Sequence, residues 1–576
     1  MNSGEMEVEF LTCDVLVVGG GAAGCFSAIK AAQSGAKVVL VDKGRVAHSG
    51  ASVFAAGAIN ICTPDDDKDQ WFQEIVTRGE NLNGQEWVKI QLQEGYELAE
   101  QLYEWGLKKG KKVFEKEEGG NYIRRRARGN INTLTSIVNA REMMDTLRQK
   151  AIDCGVILTE RVMVFDLILS GGSITGAVGF GYRDNKFYVF RAKAVVLAAG
   201  GCGFKSYLMG HRNMTGEAQK MAYEAGAILR NLDQAMSNST HRDIDMHGMS
   251  HMSGAGGKFL NNQDEEFMLK YDSELGSRAR LTKLVYGMAT EVEAGRGPIF
   301  MDLTACSQEN RDLLRQIVPE GFKAFEMAGV DPFREKMPWI PAFMGTQTHG
   351  GGVDIDLQCA TNVPGLYACG DTTSTPEHGT WSITGLNITF CFISGARSGL
   401  AAASYCHTEQ TEARCHSDNE MEIEATKLIK GFMKPLFVLN GYEPDIVTRH
   451  IQEVLIPYKT AYLRNEERLN DALWRLENIR DYQVPFVKAQ DNHGLVKANE
   501  VKSMICIAEL IVRSVLARKE SRGFVYRLDY PNTDNENWLK WIMVKGGTEN
   551  KPEVYTEDVP LPYLKPVPGT FPYDPK

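Results

Sequence analysis

The sequence predicts an α/β protein: a Rossmann-like nucleotide-binding domain, interrupted by an inserted α+β segment and followed by a helical C-terminal domain. Three observations lead there. Cys13–Gly44, CDVLVVGGGAAGCFSAIKAAQSGAKVVLVDKG, reads as apolar strand, glycine turn, helix and second apolar strand. AKAVVLAAGG (192–201) and VPGLYACGD (363–371) are two further strand-plus-glycine segments. Between them, from about 245 to 345, the chain changes to mixed helices and short strands, so one domain is assembled from separated pieces. The expected boundaries are 1–244 and 346–410 for the two parts of the nucleotide-binding domain. The insert takes 245–345, the helical domain 411–530, and an extended tail 531–576.

The opening unit carries the most specific signal. Gly19, Gly21 and Gly24 spell G-x-G-x-x-G between strand and helix, with Ala22 and Ala23 inside the motif. Such glycines permit a tight turn, backbone approach to a pyrophosphate and close helix packing. Asp42, 18 residues past Gly24 at the end of the second strand, suits ribose hydroxyls, and Lys43 follows it. SVFAAGAINI is small and apolar, suited to a loop packed against a flat ligand. Residues 86–105 place Val88, Leu92, Ala99 and Leu102 at helical spacing. AREMMDTLRQKAIDCGVILTER reads as helix then strand, and residues 163–201 as a small meander ending in Ala199, Gly200 and Gly201. A long helix is expected through LNITFCFISGARSGLAAASYC, helices through 420–525, and an extended Pro-rich end.

Composition narrows the functional class. With 576 residues, 24% of them charged, and a net charge of −10, the chain is poorly suited to non-specific nucleic-acid binding. No basic-then-apolar leader is visible, and no uncharged apolar run reaches membrane-spanning length, so a cytoplasmic location is expected. The 12 cysteines are scattered without a C-x-x-C pair, which argues against a disulfide framework or an iron–sulfur cluster within the chain. His241, His247 and His251 lack cysteine or carboxylate partners at ligand spacing, so no metal is expected. NAD and FAD both fit the opening half-site. No second strand–glycine–helix–acid set accompanies it, since GAGGKF at 254–259 lacks a preceding strand; one dinucleotide is expected, and FAD is favoured.

Further motifs then specify a family. FRAKAVVLAAGG, MTGEAQKMAYEAGAIL, ELGSR, GRGPIFMDLT, THGGGVDID, GLYACGDTTSTPEHG and ARKESRGFVYRLDYPNTDNENWL accompany the glycine turn. The chain resembles the flavoprotein subunit of the succinate dehydrogenase/fumarate reductase family, with features of the adenylylsulfate reductase alpha-subunit branch. The resemblance implies an isoalloxazine held near Ser49, Gly50, Gly57, Asn60 and Gly370, with Asp371 towards the ribityl chain. It implies that the helix opening near Asn387 and Ile388 points its N-terminus at the flavin. The insert would be a cap closing over substrate. An arginine there would serve as proton donor or clamp, Arg278 in first place with Arg280 as substitute, and His378 and His241 would join it.

Three departures from the family pattern bear on the substrate. Ala51 stands where membrane-bound members carry the histidine bonded to FAD, and His48 lies three residues too early, so FAD is expected to be non-covalent. AILRNLDQA continues as MSNSTHRDIDMHGMSHM, without the family His-Pro. In HGTWSITGLN, Ser382 replaces the arginine that grips a carboxylate, Trp381 adds an aromatic face, and upstream Thr346 and His349 are likewise shifted. A C4-dicarboxylate loses much of its clamp, so an anionic substrate other than fumarate is expected. Asn60 and GFVYRLDYPNTDNENW lean towards the adenylylsulfate branch, and Arg124, Arg125, Arg126 and Arg128 form a basic cluster.

The resemblance implies two-electron transfer at flavin N5, with electrons exchanged either with a separate ferredoxin-like iron–sulfur subunit or with a small oxidant directly. Any membrane association is expected to be peripheral. Two alternatives stay open: an adenylylsulfate reductase alpha subunit, and a non-catalytic FAD-bearing electron-transfer subunit.

Overall fold

The structure is a computed structural model; it describes residues 7–55, 57–127, 130–206, 212–244, 249–381, 383–408, 418–547 and 550–573. Strand β1 (Val8–Val18) runs through the glycine turn into helix α1 (Ala22–Gln33) and strand β2 (Val38–Asp42). A meander follows, β3 (Val162–Ser170), β4 (Ser173–Gly181) and β5 (Lys186–Leu197), each antiparallel to the next. Far along the chain come β6 (Leu366–Ala368) and α2 (Leu386–Tyr405).

One seven-stranded sheet collects these pieces. β1 lies at its centre, parallel to β2 on one side and to β5 on the other, with Val15 opposite Val38 and Ala194. β5 divides its far edge between two neighbours. Lys186–Arg191 pair with β4, whereas Val195–Leu197 pair with β6 in parallel. The returning chain thus completes the sheet at the level of the glycine turn. Val15, Leu16 and Val17 are all fully buried, as the middle of a parallel sheet covered on both faces requires.

Helices α1 and α2 meet backbone to backbone. A Cβ on Gly395 would lie 2.4 Å from the Ala23 carbonyl oxygen, and one on Gly399 would lie 2.2 Å from that of Ser27. The two glycines therefore set how deeply α2 sinks against α1, with Phe26 and Phe392 packed at 4.8 Å beside them.

The insert is a four-stranded antiparallel sheet, in the order Met236–His241, Met337–Gly345, Ile299–Asp302 and Lys258–Leu260. Helices Leu281–Glu291, Gln308–Ile317 and Pro319–Ala328 accompany it. Its first strand starts at Met236, ahead of the boundary at 245 expected from sequence. The segment MSNSTH alternates too weakly to announce a strand, and only pairing with 337–345 makes it one.

The C-terminal part holds the 26-residue helix α3 (Asn492–Ala517), packed on Pro444–Leu455 and Glu466–Tyr482. The segment expected from 531 as an extended tail contains paired strands among its described residues. Lys540–Gly547 and Asn550–Asp558 form a hairpin whose first strand also pairs with Leu229–Arg230. Ile542 and Val544 are fully buried, so this apolar stretch is covered by the body. The prolines of VPLPYLKPVPGTFP lie beyond Asp558, where Thr570–Pro572 returns to pair with Asn532–Asp534. Tyr286 of the cap stacks on Tyr526 at 3.9 Å, tying cap to C-terminal domain. No described helix is long and apolar enough to cross a membrane.

A part-buried ionic cluster joins the first and last parts of the chain. Lys43 Nζ reaches Glu217 at 2.7 Å and Glu500 of α3 at 2.8 Å, and donates to Thr215 Oγ1 at 3.0 Å; Lys205 is a second partner of Glu500. Burial works to raise the Glu500 carboxyl, but Lys43 and Lys205 outweigh it and hold the group down to about 2. Because the folded value is depressed, the cluster stabilises above the ordinary carboxylate range and fades as pH falls from about 4.5 towards 2. Glu500→Ala is expected to destabilise the fold by about 3 kcal/mol at neutral pH, with the difference shrinking in acid, as urea unfolding at both pH values will show.

Candidate active site

The first half of the site follows from the glycine turn. Gly19 sits at φ +109°, and a Cβ there would lie 2.4 Å from the Ala198 carbonyl oxygen, so the turn is pressed against the end of β5. Gly21 caps α1 without a side-chain hydrogen bond, leaving the helix end turned to a cleft. Asp42 faces the same cleft. Its Oδ2 accepts from the Gly20 N–H at 2.7 Å, and its Oδ1 from the Gly44 N–H at 2.6 Å and the Ser49 hydroxyl at 2.9 Å.

The cleft spans about 1220 Å³ with its open mouth counted in. Gly19, Gly21, Ala22 and Ala23 form its floor, and Asp42, Lys43, Ser49 and Gly50 one side. Ala199, Gly200, Gly370 and Asp371 close the other side, from the ends of β5 and β6. A glycine cradle, an open helix N-terminus and an acid on the second strand are what a dinucleotide's pyrophosphate and ribose need, so the residues present fit FAD.

Several expected contacts fall elsewhere. Gly24 is not on the wall; its Cβ would meet the Gly19 carbonyl oxygen at 1.9 Å, so its role is close packing of α1. Lys43 lines the cleft, yet its ammonium is committed to Glu217 and Glu500. Gly57 and Asn60 lie off the wall: the Gly57 carbonyl accepts from the Val138 N–H, and Asn60 Nδ2 donates to the Leu134 carbonyl at 3.0 Å. Asn387 acts one step back, donating to Asp371 Oδ1 at 2.8 Å and to the Thr348 carbonyl, and Ile388 is also off the wall. Sequence reasoning missed Ser52, whose Oγ accepts from the Ala22 N–H at 3.1 Å, and the wall residues Met214 and Glu217 of MTGEA. It also missed His493, Val496 and Glu500 of α3, which no local pattern announces.

The second half lies where the cap meets the body. The ring of His378 stacks on Trp381 at 5.2 Å and 11°, and His349 packs against His378 at 5.2 Å. Phe524 stands 6.4 Å from His349. Burial drives the His378 imidazole down to about 3, against a hydrogen bond with Asn387, and drives His349 well below its ordinary value; both rings are neutral at physiological pH. His349 Nδ1 lies 3.3 Å from Thr375 Oγ1. Asn387 thus joins His378 to Asp371 on the cofactor cleft.

Arg280 comes to this cluster from the cap and is only 5% exposed. Its Nη2 donates to the carbonyls of Arg78 at 2.5 Å and Trp381 at 2.8 Å, and its Nη1 is 3.7 Å from Glu80 Oε1. Arg278, placed first by resemblance, is exposed on a short 3-10 turn; the turn carries the next arginine, Arg280, inward instead. His241 lies inside the cap rather than among the contacts of this cluster. It is buried inside the cap, its Nδ1 accepting from the Asp243 and Ile244 N–H groups and its ring 6.2 Å from Trp339 and 6.0 Å from Phe325. His251 lies in the short helix Met249–Gly254. Arg124 is paired with Asp66 at 2.6 Å, while Arg125 and Arg126 are exposed. Arg128, His247 and Ser382 lie outside the described residues. Among the described residues no three His, Cys, Asp or Glu side chains converge in a metal-ligating group.

A family model described as an FAD binding domain matches residues 14–387, and one for the fumarate reductase flavoprotein C-terminus matches 450–571. The chain belongs to the fumarate reductase/succinate dehydrogenase flavoprotein family. A fumarate reductase (CoM/CoB) chain from Methanothermobacter marburgensis is 28% identical to this flavoprotein over 573 residues, covering 94% of this chain and 98% of that one. A fumarate reductase flavoprotein subunit of Mycobacterium tuberculosis is 26% identical, covering 92% and 94%. In fold, the flavoprotein matches the FrdA chain of Escherichia coli quinol fumarate reductase with a TM-score of 0.87 at 22% identity, over 97% and 98% of the chains. Adenylylsulfate reductase from Archaeoglobus fulgidus gives 0.80 at 22% identity, over 98% of each. The flavoprotein is an FAD-dependent oxidoreductase, and the dinucleotide its cleft fits is FAD.

Proposed function

We propose that this flavoprotein is a catalytic subunit that transfers two electrons between non-covalently bound FAD and a small anionic substrate other than fumarate. The observation that carries the reading is Arg280: a buried guanidinium set against the His378–Trp381 stack, one amide away from the cofactor cleft. Bound FAD supplies the two-electron chemistry. The chain's own groups do the rest. Arg280 binds and orients the anion, anchored by two carbonyls so that little freedom is lost on binding. His378 and His349, held neutral, offer hydrogen bonds without a competing charge. Trp381 and Phe524 wall the space and exclude water.

Fumarate fits this cluster poorly, because its second carboxylate needs a second cation and the position of the family arginine is Ser382. The reading is tested by reducing the flavin anaerobically and timing its reoxidation by a panel of small anions, adenylylsulfate and fumarate included. Rapid reoxidation by an anion other than fumarate is expected. If fumarate turns over fastest, the assignment is overturned.

The electron partner is proposed to be a separate iron–sulfur protein, since the chain's cysteines are scattered singly and most are buried. Anaerobic purification from the native source is expected to bring such a protein down with the chain. Fast oxygen-dependent turnover by the isolated chain would remove the need for it.

A further inference from the structure

Glu377, the residue before His378, is fully buried, and beyond its own backbone N–H neither carboxyl oxygen has a hydrogen-bond partner among the described residues. Its backbone is well fixed. Asn83 Nδ2 donates to the Glu377 carbonyl at 2.6 Å, and the Gly84 N–H donates to the neighbouring Pro376 carbonyl at 2.7 Å. The carboxyl is therefore isolated by construction. A carboxylate in such surroundings is desolvated with no neighbouring donor to compensate it, whereas the neutral acid is tolerated.

The ionisable groups that face it are Asp371, Cys391 and Arg230. Arg230 has Nη1 2.9 Å from Asp354 and Nε donating to Ser374 Oγ at 3.1 Å. Its buried Nη2 has no hydrogen-bond partner among the described residues, and its charge works to lower the Glu377 carboxyl, but no hydrogen bond joins the two and burial outweighs it. Burial pushes the Cys391 thiol up, so that it carries no charge. Asp371, on the cleft wall, is also pushed up by burial, but it accepts from Asn387 at 2.8 Å and from the Thr348 N–H at 3.1 Å, which work against that rise. One carboxyl of the pair has two donors from other residues and its partner has none. Environments that differ in this way separate two acids into one that carries charge and one that carries a proton.

We propose that Glu377 is a neutral carboxylic acid in the resting flavoprotein, the proton-holding member of an Asp371/Glu377 pair that sets the pH dependence of the FAD site. Glu377 is a positioning residue, since it acts on the cofactor through Asp371. When it ionises, one proton leaves to solvent and one negative charge is added behind the cleft wall. That charge opposes the negative charge that reduction brings into the cleft. In the pH range where the oxidised form has lost this proton and the reduced form keeps it, each two-electron reduction takes up one additional proton from solvent.

The linkage has a sign that can be read without substrate. The folded carboxyl is raised by burial, so its contribution to stability is fully present below the ordinary carboxylate range and is lost as pH rises above it. Glu377→Gln copies the neutral acid and removes the titration. The variant is expected to match the wild-type Tm near about pH 4 and exceed it increasingly towards about pH 9. It should also lack the infrared band of a protonated carboxyl C=O that the wild type retains at neutral pH. The midpoint potential of its bound FAD should fall less steeply with pH, by one proton per two electrons, in the window where the wild type steepens. Should Glu377→Gln fail to fold, Glu377→Leu gives the same Tm and infrared comparison. Parallel Tm curves over that pH range, or an unchanged carbonyl band, would overturn the proposal. None of these readouts uses an oxidant, so their failure leaves the proposed substrate class untouched, and failure of the substrate panel leaves them intact.

Discussion

Replacement of Arg280 by alanine is expected to lower turnover by about 10³-fold while the protein stays yellow. The guanidinium is the buried cation that the cap brings to the His378–Trp381 stack, and losing a preorganised charge-bearing donor in a water-poor site costs on the order of 10²–10³ in rate. The cofactor cleft is built by other elements, so the flavin spectrum should persist. Arg280→Lys keeps the charge but not the two carbonyl anchors to Arg78 and Trp381, and should recover only part of the rate. Arg278→Ala is the control: its side chain is exposed, and turnover should stay close to wild type. Stopped-flow reoxidation with the oxidant found in the anion panel separates these outcomes. Equal losses for both alanine variants would remove Arg280 from its assigned place.

The second large effect is structural. Gly24→Ala is expected to yield a protein that does not retain FAD and unfolds at markedly lower temperature. The added methyl would sit 1.9 Å from the Gly19 carbonyl oxygen, a backbone atom that is itself pressed against the end of β5. Neither side can give way by rotating a side chain. Helix α1 must lift from the sheet, which moves its N-terminus away from the pyrophosphate position and opens the contact between Ala23 and Gly395. Absorbance after desalting and a thermal melt check this directly; a yellow variant with unchanged Tm would contradict the packing account.

Legibility of this chain in its sequence depended on how local the cause was. The opening βαβ unit was readable because its strands, turn and helix are adjacent in sequence, and Asp42 falls at the expected spacing. The meander and α2 were readable for the same reason. The hairpin at 540–558 was not, although its two strands are neighbours in sequence and pair mainly with each other; the prolines beyond Asp558 suggested an extended end instead. The site divides along the same line. Gly19, Gly21 and Gly370–Asp371, all within legible motifs, line the cleft, whereas Glu500 arrives from a helix whose sequence says nothing of FAD. The choice between Arg278 and Arg280 turns on the phase of one short 3-10 turn, which the spacing of the residues does not reveal. Lys43 illustrates a different limit: it lines the cleft, but the two carboxylates that hold its ammonium are distant in sequence and could not be read from it.

The pairing of Leu229–Arg230 with Lys540–Gly547 carries a consequence for biosynthesis. During translation the nucleotide-binding region leaves the ribosome long before the strand that closes its edge, and α3, which walls the cleft through Glu500, also emerges late. A chain made only as far as residue 491 thus presents both an unpaired strand edge and a pocket without its α3 wall, both invitations to premature association. Flavin capture is accordingly expected to wait for α3, and expression hosts limited in riboflavin or holdase capacity should accumulate the chain as aggregate.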